Sequence, residues 1–148
     1  MALKGSVVLV TGGAMRLGRA IALALAKREA RIVITYLTSQ KAAHDTLRRI
    51  RELGAKAYAF KTNIANLKEV RYLMKQIRNK IGHLDVLINN ASIFKRTPFA
   101  KLNERNWDEH IDINLKGPFL CSIEAVNLFS KKRGVIINIA DWASKRPY

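Results

Sequence analysis

"VTGGAMRLGRAIA", residues Val10 to Ala22, ends one pattern and begins another. Ahead of it runs a short apolar segment, "SVVLVT" (Ser6–Thr11), of strand length and bounded by glycine. Behind it, apolar residues recur at helical spacing from Leu17 to Ala30. A strand that runs through a glycine turn into a helix aims the free N–H groups of the helix N-terminus at whatever lies above the turn. A pyrophosphate is the ligand that suits them. Gly12 permits the tight turn and Gly18 permits close helix–strand packing. The middle position, glycine in most such turns, is Arg16. An arginine there keeps its backbone N–H and adds a planar donor fork suited to phosphate or to a flat heterocycle.

The same alternation continues along the chain. Strands are expected at Ser6–Thr11, Arg31–Tyr36, Lys56–Lys61, Leu84–Asn89 and Val135–Ala140. Helices are expected at Leu17–Ala30, Ser39–Leu53, Leu67–Ile81 and Glu104–Ser130. Strand–helix alternation implies right-handed crossovers and a mostly parallel sheet. Unbroken apolar stretches such as "VVLV" fit strands covered on both faces. Gly54, Gly82 and Gly134 stand where helices should stop, and Pro118 predicts a kink or a late start in the last helix. No repeat, low-complexity linker or second domain interrupts residues 1–148. The chain ends soon after its fifth strand, where a doubly wound sheet would continue. The expectation is therefore the N-terminal portion of a longer single-domain protein.

Composition narrows the classes. At 49% hydrophobic and 26% charged residues, the chain should be globular rather than disordered. The longest apolar run, Ala20–Ala26, is too short to cross a bilayer, and "MALKGS" shows no signal-peptide core. Cys121 is the single cysteine, which excludes an internal disulfide and a cysteine-cluster zinc site; no metal site is expected. A cytoplasmic location is expected. The 27 Lys and Arg against 11 Asp and Glu give a formal charge of +16, which favours anionic partners. The basic residues of "RRIRELGAK" and "KQIRNKIG" (Arg48, Arg49, Arg51, Lys75, Arg78 and Lys80) flank apolar positions, as on solvated helix faces. No basic run is interleaved with aromatics, so nucleic acid is not the expected partner.

The second strand decides the anion. Folds that bind NAD place an Asp or Glu about 20 residues after the glycine turn, to hold the ribose 2′-hydroxyl. Here the segment reads "TYLTSQ", with no acid before Asp45. Thr38, Ser39 and Arg16 are then suited to a 2′-phosphate, and NADPH is the expected cofactor.

"TGGAMRLG", "NNAS" (Asn89–Ser92), "DINLKGPF" and "IINIADWAS" follow one another in order over the whole chain. Together they resemble the short-chain dehydrogenase/reductase family. The resemblance implies an α/β Rossmann-type doubly wound parallel sheet with helices on both faces, its C-terminal part lying beyond this chain. It implies a cofactor site of Gly12, Met15, Arg16, Leu17 and Gly18 at the turn, with Tyr36, Thr38 and Ser39 beside the adenosine. Asn63 and Ile64 would frame the adenine, with Asn63 in place of the family's usual Asp. Asn90, Ala91 and Ser92 would border the cofactor, while Asn89 supports the sheet. Asn114 matches the family's relay asparagine, or supports a helix bend.

Two departures point further. The family's catalytic serine is replaced by Asp141, and with Arg16 this is similar to the pteridine reductase branch. That branch carries a substrate-stacking aromatic after "NNAS", where Phe94 stands here. Arg16, Phe94 and Asp141 are thus candidate substrate-binding residues. As alternatives, Phe94 anchors a buried loop and Asp141 caps a helix or loop. The family's Tyr-xxx-Lys pair is expected beyond residue 148, since Tyr148 comes only seven residues after Asp141; this portion alone is expected to be inactive. The expected function is NADPH-dependent reduction of a C=O or C=N bond in a small-molecule substrate, a pterin among the candidates. Alternatives are a 3-oxoacyl-carrier-protein or general carbonyl reductase and, from another class, a non-catalytic NADP- or nucleic-acid-binding module. The helix near Leu115–Ser130, with Phe119, Leu120, Ile123, Val126 and Phe129 on more than one face, predicts a homo-oligomer, dimer or tetramer.

Overall fold

A computed structural model describes residues 3–129, 133–142 and 146. Five parallel strands, β1 (Val7–Val10), β2 (Arg31–Tyr36), β3 (Ala57–Lys61), β4 (Val86–Asn89) and β5 (Val135–Asn138), lie in the order β3-β2-β1-β4-β5. Between them run α1 (Arg16–Ala26), α2 (Gln40–Glu52) and α3 (Leu67–Ile81). Next come α4 (Glu104–Ile111) and α5 (Gly117–Val126), joined through a π-helical turn at Asp112–Lys116. The order reverses between β1 and β4, so the connections leaving these two strands diverge and open a crevice at their carboxyl ends.

Because successive strand residues face opposite sides, β1 feeds two separate cores. Val7 and Leu9 pack with Val70, Leu73, Met74 and Ile77 of α3 and with Leu120, Cys121 and Ala125 of α5. Val8 and Val10 pack with Ala22 and Ala26 of α1 and with Ala43 and Ile50 of α2. On α1 the buried positions are Gly18, Ala22 and Ala26, one per turn, so this helix seats close against the sheet. Cys121 is fully buried, and desolvation pushes its thiol up to about 12. Arg48, Arg49, Arg51, Lys75, Arg78 and Lys80 are all exposed on α2 and α3, as solvated helix faces require. Among the described residues, no helix is long and apolar enough to cross a membrane.

The last helical stretch departs from expectation. One helix over Glu104–Ser130 is replaced by α4, the π turn and α5, which ends at Val126; Ser130 lies outside the described residues. The cause is Pro118. It has no N–H, so it cannot supply the bond that continues the preceding helix, and the chain widens one turn earlier. Gly54 and Gly82 do follow α2 and α3, whereas Gly134 follows no helix among the described residues. It lies well past Val126 with the Phe129 ring against it, where an added Cβ would come within 2.2 Å of the ring.

Asn89 ties the sheet to this region. Its Nδ2 donates to Asn138 Oδ1 of the neighbouring strand (2.8 Å) and to Ser122 Oγ of α5 (3.2 Å), while its Oδ1 has no partner among the described residues. Replacing Asn89 by Ala removes both ties and should lower stability by about 1–3 kcal/mol. Urea unfolding of the intact protein measures this, and an unchanged midpoint would contradict the sheet-supporting role.

Candidate functional site

The carboxyl ends of β1 and β4 are fastened together before any ligand is considered. Thr11 Oγ1 donates to Ile88 O (3.4 Å) and accepts from the N–H groups of Asn90 (3.0 Å) and Ala91 (3.0 Å). Its one hydrogen and both lone pairs are thereby used. Asn90 Nδ2 returns the contact by donating to Thr11 O (2.9 Å) and Gly12 O (3.3 Å). The backbones come so close that a Cβ on Gly12 would stand 2.9 Å from Ala91 Cα, and Gly12 has a φ of +63° besides. At Gly18 a Cβ would fall 2.4 Å from Gly12 O and 2.5 Å from Asn90 Nδ2. Gly13, given no role in the sequence, lies against Ile34 of β2, with room for no side chain.

Above this clasp lies a cleft of about 380 Å³. Gly12, Met15, Arg16, Leu17, Gly18, Tyr36, Thr38, Ser39, Asn63, Ile64, Asn90, Ala91 and Ser92 all line it. Ala14, Thr35, Leu37, Thr62, Ile93, Ile113 and Ile139 line it too and were missed. Most of these flank residues the sequence did single out. Thr35 is different: its Oγ1 accepts from Gly12 N–H (3.1 Å) and its carbonyl from Gly13 N–H (3.1 Å). Those two N–H groups are consequently engaged by Thr35, which leaves the later ones at the start of α1 for a ligand.

The helix ends around the cleft differ from those elsewhere. At α3 the Asn66 side chain accepts from Lys68 and Glu69 N–H, and α4 begins with a reciprocal Asn103–Asn106 capping box. At α1, whose first residues line the cleft, and at α2, whose preceding residue Ser39 lines it, neither Met15 nor Ser39 makes a side-chain cap. Orphan N–H groups at a helix start attract anions. Among the described residues the lining contains no carboxylate, and Arg16 is its one charged side chain. Arg16 sits at a φ of +49°, the left-handed region that favours glycine, and its guanidinium makes no ion pair among the described residues. An uncapped turn, backbones brought close by Gly12 and Gly18, and a cation unpaired among the described residues together fit a dinucleotide.

The remaining candidates lie outside this lining. Asn114, in the π turn, holds Ile93 by both ends: its Oδ1 accepts from Ile93 N–H (2.9 Å) and its Nδ2 donates to Ile93 O (2.9 Å). In a regular α-helix the Asn114 carbonyl would accept from residue 118, which is proline and has no N–H. Two residues past Ile93, Lys95 N–H donates to His110 Nε2 (3.3 Å), and Lys95 Nζ pairs with Glu109. Hydrogen bonding to Lys95 holds the Glu109 carboxyl below its usual range. Phe94, between these tethers, is 90% exposed, so it is no buried loop anchor. Asp141 follows β5 and is exposed. Of the three candidates for one substrate site, the structure brings only Arg16 into the cleft lining. Tyr148 lies outside the described residues.

Residues 6–148 match the family described as short chain dehydrogenase. The chain belongs to that family. Two curated short-chain relatives are named 3-oxoacyl-[acyl-carrier-protein] reductase. The one from Synechocystis is 40% identical over 143 residues, covering 96% of this chain and 58% of the relative. The one from Staphylococcus aureus is 35% identical over 133 residues, covering 89% and 54%. The chain thus spans little more than half the length of these relatives. Among solved structures, a short-chain alcohol dehydrogenase from Sinorhizobium meliloti superposes with a TM-score of 0.90 at 28% identity, covering 99% of this chain and 59% of that one. A variant of a Serratia marcescens short-chain dehydrogenase/reductase gives a TM-score of 0.91 at 28% identity, covering 100% and 60%.

The left-handed conformation at Arg16 has a measurable cost. Arg16→Gly relieves it, and after allowance for glycine's greater freedom when unfolded, stability should rise by about 0.5–1 kcal/mol. A higher urea midpoint checks this. A lower one would mean that the arginine side chain supports the turn by itself.

Proposed function

We propose that the intact protein is an NADPH-dependent short-chain reductase acting on a 3-oxoacyl or related carbonyl substrate. The observation that carries the cofactor assignment is the acid-free cleft at the sheet's switch point, with two uncapped helix starts and the unpaired Arg16 on its wall. In this reading the outward N–H groups of α1 take the pyrophosphate, and Thr38, Ser39 and Arg16 take the 2′-phosphate. Asn63 and Ile64 border the adenine, and Asn90, Ala91 and Ser92 border the nicotinamide half. Bound NADPH supplies the hydride. Asn114 offers its main-chain carbonyl, relieved of a helical donor by Pro118, to a water of the proton relay. Asp141 takes the place of the family's serine beside the substrate. The tyrosine that donates the proton and its lysine are assigned to the protein beyond residue 148.

The names of both curated relatives support the carbonyl substrate. One observation favours a second reading, reduction of a flat heterocycle of pterin type. Phe94 stands exposed on a loop tethered at Ile93 and Lys95, as a stacking platform would. The outer side of α5 also presents Phe119, Ile123 and Val126, each 43–59% exposed, and we assign it to contact with a second copy. A monomer in light scattering of the intact protein at micromolar concentration would refute that contact.

Binding titrations test the cofactor. NADPH should bind more tightly than NADH, and Leu37→Asp should weaken NADPH about tenfold or more by opposing the 2′-phosphate. Equal affinities in the wild type would sink the assignment. The substrate is tested by following NADPH oxidation with an acetoacetyl thioester and with a dihydropterin. Turnover of the thioester with no effect of Phe94→Ala supports the leading reading. Turnover of the pterin, with a loss of about 1–3 kcal/mol in Phe94→Ala, establishes the second.

A further inference from the structure

Thr46 is an interior residue of α2 and is completely buried. A threonine inside a helix gains little from its branched side chain, and its hydroxyl must find a partner once water is excluded. The usual partner is a carbonyl of the preceding turn in the same helix. Here the hydroxyl instead leaves its helix and donates to the carbonyl of Ala14, at 2.9 Å, in the glycine turn between β1 and α1. Next to it, Asp45 of α2 pairs with Arg19 of α1 at 2.9 Å, so two consecutive residues of α2 hold the start of α1.

A trans peptide sets its carbonyl and the following N–H in opposite directions. Drawing the Ala14 carbonyl toward α2 therefore turns Met15 N–H away from it, and both residues line the cleft. Gly12 and Gly13 N–H are already committed to Thr35, so the orientation of the turn's outward donors depends on what fixes the peptide after Ala14.

We infer that Thr46 is a positioning residue for the dinucleotide. Its hydroxyl holds the glycine turn so that the N–H groups after Ala14 meet the pyrophosphate. The inference rests on the dinucleotide assignment above but not on the preference for NADPH. It makes α2 a shared support: the helix start at Ser39 borders the cleft at the adenosine end, and Thr46 braces the turn at the pyrophosphate end.

The test uses the intact protein with Thr46→Val, which keeps the side chain's shape and removes the hydroxyl, and Thr46→Ser, which keeps the hydroxyl. Dissociation constants are measured for NADPH, NADH and adenosine 2′-monophosphate, the last lacking a pyrophosphate. The valine variant should bind NADPH and NADH about five- to tenfold more weakly, by the same factor, as loss of one hydrogen bond allows. Its affinity for adenosine 2′-monophosphate should stay at the wild-type value, and serine should restore dinucleotide binding to within about twofold. Wild-type dinucleotide affinity in the valine variant would overturn the inference. An equal loss for adenosine 2′-monophosphate would also overturn it, since that reports general loosening of α2. If the valine variant does not fold, the serine variant decides: a loss as large as tenfold would show that the hydroxyl is not the operative group. A wild type that prefers NADH and ignores adenosine 2′-monophosphate would refute the NADPH assignment alone. The ratio between wild type and variant on NADH would still test Thr46.

Discussion

One hydroxyl holds the switch point together. Thr11 joins β1 to the backbone after β4, and everything above the sheet takes its position from that clasp. Without it the two strands would still pair, through Val8–Val10 and Val86–Ile88, but their connections would be free to separate. Fastened, they hold the glycine turn against Asn90 and Ala91, and the cleft has a rigid floor. The same closeness explains the glycines, because Gly12 and Gly18 stand where any side chain would collide with backbone or with the Asn90 amide.

The charge of the molecule and the charge of the cleft have different origins. Nine of the 27 Lys and Arg residues stand exposed on α2 and α3, where solvent screens them. Among the described residues of the cleft the positive potential comes from one guanidinium and from backbone dipoles. Salt bridges elsewhere absorb much of what remains close by: Asp45 takes up Arg19, Arg48 and Arg49, and hydrogen bonding to Arg48 chiefly holds its carboxyl below the usual range. Among the described residues Arg16 has no such partner, which leaves its charge for a ligand.

Most of the cleft was legible in the sequence because parallel sheets deliver their site residues at strand ends, and strands announce themselves by apolar runs. Gly12, Thr38, Asn63 and Asn90 each follow such a run, so finding the strands found the lining. Contacts made across the chain left no such mark. Nothing periodic signals that Thr46 reaches Ala14, or that Asn114 spans Ile93, since each joins residues 32 or 21 positions apart. The π turn was half legible: Pro118 announced a disturbance, but a kink, a late start and a widened turn all answer a missing N–H. Phe94 was legible as an aromatic and illegible as an exposed one, because its burial depends on tethers at its two neighbours.

The bare helix starts at Met15 and Ser39 also bear on how the protein persists. An absent cap forgoes about 0.5–2 kcal/mol at each helix, and here both omissions fall at the same cleft. A ligand that satisfies those donors returns that stability as well as occupying a site. A ligand present at a hundred times its dissociation constant adds about 2.7 kcal/mol to the folded state. Against the marginal stability of an ordinary domain, that is enough to alter the unfolded fraction, and with it the exposure to proteolysis, by nearly two orders of magnitude. For the dinucleotide proposed above, the lifetime of the folded protein would follow the ligand's supply.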